Sequence, residues 1–318
     1  MQRRALLLAP LLPMAAQAFP LRPVTLIVPF APGGNTDVVA RIIQAPLSGV
    51  LGQPVVIENR AGAGGAVGSE LVRRAPADGH VLLLATASTH GANPALFDDL
   101  PYDPLADFAH VTLLGVTPVL LVVPPALGVA ELDSLFALLR REPGRHNYAS
   151  AGVGSLTHLV GEWLRMAARL DIQHIPYRGG GPALEAVIKG EVTLLLEPSA
   201  TLAGAIRDGQ VRALAVATRQ PSRIFPALPT LHDSGLADFN AATWTMLLAP
   251  NGTPPAALAR LDAAMQQVLR MPEVATRLAA AGVEVAAQVA GPAARAFMAQ
   301  DIARWRHVVR EAGIRVTR

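Results

Sequence analysis

Apolar positions along the first third of the chain switch between two periods, and glycine marks each change. The β-branched run Val24–Val28 predicts a strand, and helical spacing over 37–51, stopped by Gly52, predicts a helix. Asn35 or Thr36 is placed to cap that helix. A second strand is predicted over 55–58, a second helix over 66–74 and a third strand over 81–85. Strands that alternate with helices pair in parallel through right-handed crossovers, so this segment reads as α/β.

Two apolar, β-rich runs follow at 111–114 and 119–123, split by Thr117-Pro118. After Pro124-Pro125 the alternation starts again. A helix is predicted over 132–140, a strand ending at Ser150, a turn over 152–154, and a helix over 155–168. Leu156, Leu159, Val160, Trp163 and Leu164 share one face of that last helix. The strand Ile172–Pro176 precedes a helix from Pro182 to Gly190, proline being suited to the first helical position. Strands are predicted over 192–196, 214–217 and 243–249. Two helices then close the chain, the last over 292–311 with a buried stripe through Phe297, Ile302, Trp305 and Val309. The pattern restarts near 124 and ends near 242, between two apolar strands. The prediction is a protein of two lobes with a cleft between them. Lobe 1 is 19–123 with 243–318, lobe 2 is 124–242, and the hinge lies in the flanking strands.

Composition narrows the function. The chain of 318 residues is 51% apolar and 16% charged, which suits a folded protein of two domains or one large α/β domain. Net charge is +3, with Arg3 and Arg4 in the N-terminal segment, so no basic footprint for nucleic acid remains. The absence of cysteine excludes disulfides, thiolate catalysis and cysteine-ligated metals. Residues 1–18 carry Arg3-Arg4, an apolar stretch too short to span a bilayer, and Ala16-Gln17-Ala18. They read as an export signal cleaved near Ala18.

Chemistry concentrates at two glycine turns, Phe30-Ala-Pro-Gly-Gly-Asn-Thr-Asp37 and Glu58-Asn-Arg-Ala-Gly-Ala-Gly-Gly65. Each joins a strand to a helix and aims backbone N–H groups and a positive dipole end at one spot, as a small anion requires. Gly33 and Gly34 serve either as a tight turn or as an approach for a ligand carboxylate. Asp37 either pins its loop or accepts from a ligand amine or hydroxyl. Residues 62–68 imitate a dinucleotide fingerprint, but Val67 stands where the third glycine belongs. Ser155 is placed as a helix cap with Thr157 and His158 in the first turn, where a ligand oxygen would also be stabilised. His158 and Glu162 lie one turn apart without a third metal ligand, and neither Ser150 nor Ser155 lies in a nucleophile elbow. Arg178 is either a clamp or a solvated loop residue, and Trp244 is read as packing.

In order and spacing, several segments resemble the Bug (TctC-like) family, periplasmic solute receptors of tripartite tricarboxylate transporters. They are Val28-Pro-Phe-Ala-Pro-Gly-Gly-Asn-Thr-Asp37, Leu51-Gly-Gln-Pro-Val-Val-Ile-Glu-Asn-Arg60, Tyr148-Ala-Ser-Ala-Gly-Val-Gly-Ser155, Pro176-Tyr-Arg-Gly179 and Ala249-Pro-Asn-Gly-Thr-Pro254. The resemblance implies a type II periplasmic binding protein fold, an α/β architecture of two mixed sheets flanked by helices. It implies capture of a di- or tricarboxylate, an acidic amino acid or an aromatic acid between the lobes. The first lobe would contribute Ala31, Pro32, Gly33, Gly34, Asp37, Ala63, Gly64 and Ser88. The second would contribute Gly154, Ser155, Thr157, His158 and Glu197. No catalytic residue, metal or cofactor is implied. The expected partners are the ligand and the membrane components of a transporter, with no nucleic acid, and the expected unit is a monomer. Two departures bear on the cleft. Met246 stands where the family commonly has glycine, and Glu197 where it often has aspartate. A ligand-sensing co-receptor and a periplasmic hydrolase using Ser155 and His158 are the alternative readings.

Overall fold

The computed structural model describes residues 19–314 apart from 223, 287 and 312, so the expected export signal lies outside the described residues. In the first part, β1 (Val24–Val28) lies between β2 (Val55–Asn59) and β3 (Val81–Thr86), all parallel, with Leu26 opposite both Ile57 and Leu82. The crossovers are α1 (Asn35–Leu51) and α2 (Ala66–Arg73). Gly52 ends α1 with φ +74°, a left-handed conformation that glycine adopts without penalty. Past β3 the chain makes a π-helical turn over Ser88–Ala92 and runs into the short α3 (Asn93–Leu96), neither of which the pattern predicts.

The expected break at Thr117-Pro118 does not occur. β4 is one strand, Phe108–Val123. Its first part pairs antiparallel with β9 (Ala242–Pro250) as far as Pro118 opposite Ala242. From Val119 onward it pairs with β7 (Leu194–Pro198) and β8 (Arg212–Val216). Pro118 therefore stands where the ladder changes partners, the kind of position at which a missing N–H is tolerated. One strand thus carries the chain from a first sheet, β2-β1-β3-β9-β4, into a second, β4-β7-β5-β6 with β8 beside β4.

In the second sheet β5 (His146–Ser150) runs parallel to β6 (Ile172–Pro176) and to β7. Its helices are α4 (Leu132–Arg141), α5 (Leu156–Ala167), α6 (Gly180–Ile188) and α7 (Ser199–Arg207). α6 starts two residues before Pro182, and α7 is an addition to the predicted elements. Three helices follow β9 rather than two: α8 (Pro255–Leu269), α9 (Pro272–Ala280) and α10 (Gly291–Glu311). Pro272 opens α9, a position that suits proline and ends the preceding helix. The two-residue β10 (Glu284–Val285) pairs with β4 opposite Gly115 and Val116.

The core has three parts. α1 and α8 cover one face of the first sheet, packing Ile43, Leu47 and Leu261 on Leu26, Leu82 and Leu247. α6 and α7 cover one face of the second through Val187 and Leu202 on Leu120 and Leu195. The third part joins the two sheets through Leu113, Val119, Tyr148, Leu196, Trp244 and Trp305. Each fully buried aliphatic side chain contributes about 1.5–3 kcal/mol, so the side chains of the joint help hold the two sheets together. Trp244 and Trp305 are both core, and Trp244 Nε1 donates to Asp301 Oδ2 at 2.8 Å. Met246 is fully buried in the same cluster, opposite Ala85 and Leu113; it packs the core and does not line the cavity described next.

Candidate ligand-binding site

Strand C-terminal ends from both sheets meet helix N-terminal ends, the place where open α/β sheets bind ligands. β1 leads into α1, β5 into α5, β6 into α6 and β7 into α7. A cavity of about 30 Å³ lies where they meet. The first sheet lines it with Phe30, Gly34, Asn35, Thr36, Thr86, Ser88 and Thr243. The second lines it with Ala151, Leu156, Thr157, Gly180, Glu197 and Pro198. A larger chamber of about 470 Å³ adjoins it, sharing Phe30 and Ala151, and is lined by Ala61–Gly65, Gly152, Val153 and Pro176–Arg178.

The helix ends favour an anion in the small cavity, whose walls carry no basic side chain, and Arg178 lies in the adjoining chamber. Gly34, not Asn35 or Thr36, is the N-cap of α1, so no side chain occupies its first-turn N–H groups from the cap position. Gly179 and Pro198 stand at the caps of α6 and α7, again without a side-chain hydrogen bond. Only α5 is capped, by Ser155 Oγ accepting from His158 N at 3.2 Å. Glycine also lets the two halves approach. A Cβ on Gly34 would lie 3.4 Å from Gly180 N, and one on Gly181 would lie 2.5 Å from Pro32 O. Hydrogen bonds span the junction, among them Ala31 N donating to Arg178 O at 3.1 Å, Leu156 N to Ser88 Oγ at 2.9 Å and Ser199 Oγ to Gly282 O at 3.2 Å.

The predicted residues divide into cavity walls and their supports. Gly34, Ser88, Thr157 and Glu197 line the small cavity, and Ala63 and Gly64 the larger chamber. Asp37 holds the loop: its carboxylate accepts from Gly33 N at 2.9 Å, Arg41 Nε at 2.8 Å and Asn59 Nδ2 at 3.1 Å. Burial opposes its ionisation, but the hydrogen bonds from Arg41, Gly33 and Asn59 outweigh it and hold the carboxyl below its usual range. Ala31 and Pro32 form the same loop, where Ala31 N makes the contact to Arg178 O. Gly154 N donates to His158 Nδ1 at 3.3 Å. His158 stacks on His174 with ring centroids 3.8 Å apart, and His174 Nε2 meets Ser150 Oγ at 2.6 Å. The Ser155–His158 pairing that a hydrolase would use is absent, because Ser155 Oγ caps α5 and lies 3.1 Å from Thr157 Oγ1. Among the described residues, no three His, Asp or Glu side chains converge as a metal site would require.

Glu197 is the single ionisable side chain in the cavity wall. It is buried, its Oε1 accepts from Thr201 Oγ1 at 3.2 Å, and its Oε2 has no partner. Burial pushes its pKa up to about 8, against the hydrogen bond from Thr201. Asn35 Oδ1, also in the wall, is buried without a partner. The sequence pattern points to Asn35 or Thr36 as a cap, and gives no sign that Thr86, Ala151, Gly180, Pro198 and Thr243 line the cavity. One signal is available: Gly179-Gly180-Gly181, the cap and first two residues of α6, repeats the glycine-marked helix start of α1.

Known proteins resemble this chain in sequence and fold. The family profile described as "Tripartite tricarboxylate transporter family receptor" (TctC) matches residues 39–314. Protein BugT of Bordetella pertussis is 38% identical over 306 residues, 96% of this chain and 93% of that protein. MatC from Rhodopseudomonas palustris, solved with bound malate, has a TM-score of 0.87 at 37% identity, covering 92% of this chain and 100% of that one. Rpa4515 of R. palustris, solved with adipate, has a TM-score of 0.88 at 32% identity, covering 93% of this chain and 99% of that one. The fold is the two-lobed α/β fold of periplasmic binding proteins.

Proposed function

The chain belongs to the tripartite tricarboxylate transporter receptor family and is a solute-binding receptor, not an enzyme; from that premise we propose that it captures a small dicarboxylate between its lobes. The observation that carries this reading is the convergence of four helix N-termini, three of them without side-chain caps, on one cavity. Such ends favour an anion, each by about 0.3–1 kcal/mol when exposed and up to ~2 when partly buried. MatC with malate and Rpa4515 with adipate support a dicarboxylate of this size range.

The lobes in this reading are 19–123 with 243–318, and 124–242. Their hinge lies where β4 changes partners, near Pro118 and Val119, and at the start of β9. A cavity of about 30 Å³ has room for about two or three waters, on a scale where one water needs about 10–15 Å³. A dicarboxylate therefore enters only when the lobes part. It binds first to the uncapped end of α1, and the ends of α5, α6 and α7 then close on it. The ligand favours the closed form only by the contacts it gains there. The receptor works as an exported monomer, cleaved near Ala18, and hands its ligand to the membrane components of the transporter.

The test is a thermal-unfolding screen of refolded protein against malate, adipate, succinate, citrate, aspartate and benzoate. A ligand at about a hundred times its Kd adds about 2.7 kcal/mol, which raises the midpoint by several degrees. No shift with any carboxylate would remove the receptor reading. Uptake of the selected acid by cells with and without the protein then tests delivery.

A further inference from the structure

The cavity wall holds one carboxyl group in a region built to attract an anion, and the two must coexist when a carboxylate binds. Glu197 is 3% exposed and has one acceptor atom engaged, by Thr201 Oγ1, and one, Oε2, without a partner. Among the described residues, no neighbouring cation favours its ionised form. β4 lies beside it through Leu120, α6 through Gly180, α7 through Thr201, and α1 contributes Asn35 and Thr36 to the same cavity. The charged groups on those elements are engaged or exposed elsewhere. Asp37 and Arg41 pair with each other, His110 contacts Met298, and Glu185, Lys189 and Arg207 are exposed. On α5, His158 accepts from Gly154 N, while Glu162 is taken by Tyr148 and Arg165. The starts of α6 and α7 favour a negative charge nearby, but burial opposes it more strongly, leaving the carboxyl protonated up to about pH 8. A ligand carboxylate in the same space repels a second negative charge and strengthens that preference.

We propose that Glu197 is a specificity-determining residue that meets the ligand as a neutral carboxylic acid, its Oε2–H donating to a ligand carboxylate oxygen. A protonated acid is a donor, so it favours a carboxylate at that position and gives an ammonium group no ion pair. The receptor therefore prefers malate to aspartate, which differs in carrying an ammonium group where malate has a hydroxyl. This inference rests on the receptor reading above.

The experiment titrates malate and aspartate into refolded wild type and Glu197→Gln by calorimetry, from about pH 6 to about pH 9.5. Glutamine keeps the shape and a donor but cannot ionise. Wild-type affinity for malate is expected to hold up to about pH 8 and then fall about tenfold per pH unit, while Glu197→Gln stays within a few-fold of wild type and flat. Malate affinity that does not fall above about pH 8 in wild type, or tighter binding of aspartate that Glu197→Gln abolishes, would overturn the proposal. A ligand-free measurement separates its failure from that of the receptor reading. A carboxyl whose folded pKa is raised contributes stability at low pH that is lost as pH rises. Wild type should thus lose stability relative to Glu197→Gln between about pH 4.5 and about pH 8. Parallel unfolding curves would sink the neutral-acid assignment whatever binds. That stability difference with no binding of either acid would reject the donor role toward these ligands and leave the receptor reading to the wider carboxylate screen.

Discussion

Replacing Gly64 with alanine should weaken ligand binding without unfolding the protein. Gly64 sits on the first-lobe loop with φ +61°, and an added Cβ would lie 2.8 Å from Val153 O and 2.9 Å from Gly154 C, both across the cleft. Real Cβ atoms do not approach backbone so closely, so the walls must part by about half an ångström. Forcing an extra methyl into a packed contact costs about 1–3 kcal/mol, and the share due to Val153 and Gly154 falls on the closed form, whereas the 3.1 Å approach to Asn93 Oδ1 lies within the first lobe. The left-handed backbone adds a further ~1–2 kcal/mol in an L-residue, but in open and closed forms alike, so it cancels from the affinity. The expected result is a loss of about 5- to 150-fold in malate affinity. Gly52→Ala is the matched control: its φ is +74° and nothing lies within 4 Å of the new methyl. It should lower the unfolding midpoint and leave affinity unchanged. Calorimetry and thermal unfolding on both variants read the two effects separately. A folded Gly64→Ala protein that binds malate as wild type does would refute closure across this contact.

Two further outcomes follow from the charges and hydrogen bonds. Asp37→Asn removes a carboxylate that accepts from Gly33, Arg41 and Asn59, and should cost about 1–3 kcal/mol in denaturant unfolding at neutral pH. Because the folded pKa of Asp37 is lowered, its stabilisation is present above the unfolded value of 3.8 and fades as pH falls through the folded one. The gap between wild type and Asp37→Asn should close there. Burial, with some repulsion from His158, lowers the pKa of His174 to about 4, so stability present above 6.5 should decline as pH falls towards that value. Unfolding followed over this range should show a shallower decline in His174→Gln than in wild type. Identical slopes would mean that His174 is not held neutral.

Proximity along the chain explains how much could be read without coordinates. The strand-to-helix turns at Gly33-Gly34 and 62–65, the helix stop at Gly52 and the cap at Ser155 depend on the backbone freedom or side-chain reach of a few adjacent residues. Each was legible. α7 was not, because Ser-Ala-Thr-Leu-Ala-Gly-Ala-Ile-Arg has small residues and a weak apolar stripe, and its helix is held by Leu202 and Ala205 packing on distant strands. The sequence leaves the loop-pinning hydrogen bond of Asp37 unread, since its partner Asn59 lies twenty-two residues away.

Local chemistry by itself determined the α/β alternation, the glycine-marked helix starts and the restart of the pattern near residue 124. Tertiary structure decided the rest. Pro118 could remain inside β4 only because the strand exchanges β9 for β7 and β8 at that point. The facing of Gly34 on Gly180, and the separation of Glu197 from the cations of the described residues, likewise arise where segments distant along the chain meet. Desolvation and interhelix fields depend on everything within a few ångströms of a group in space, and a linear sequence specifies those neighbours only through the fold.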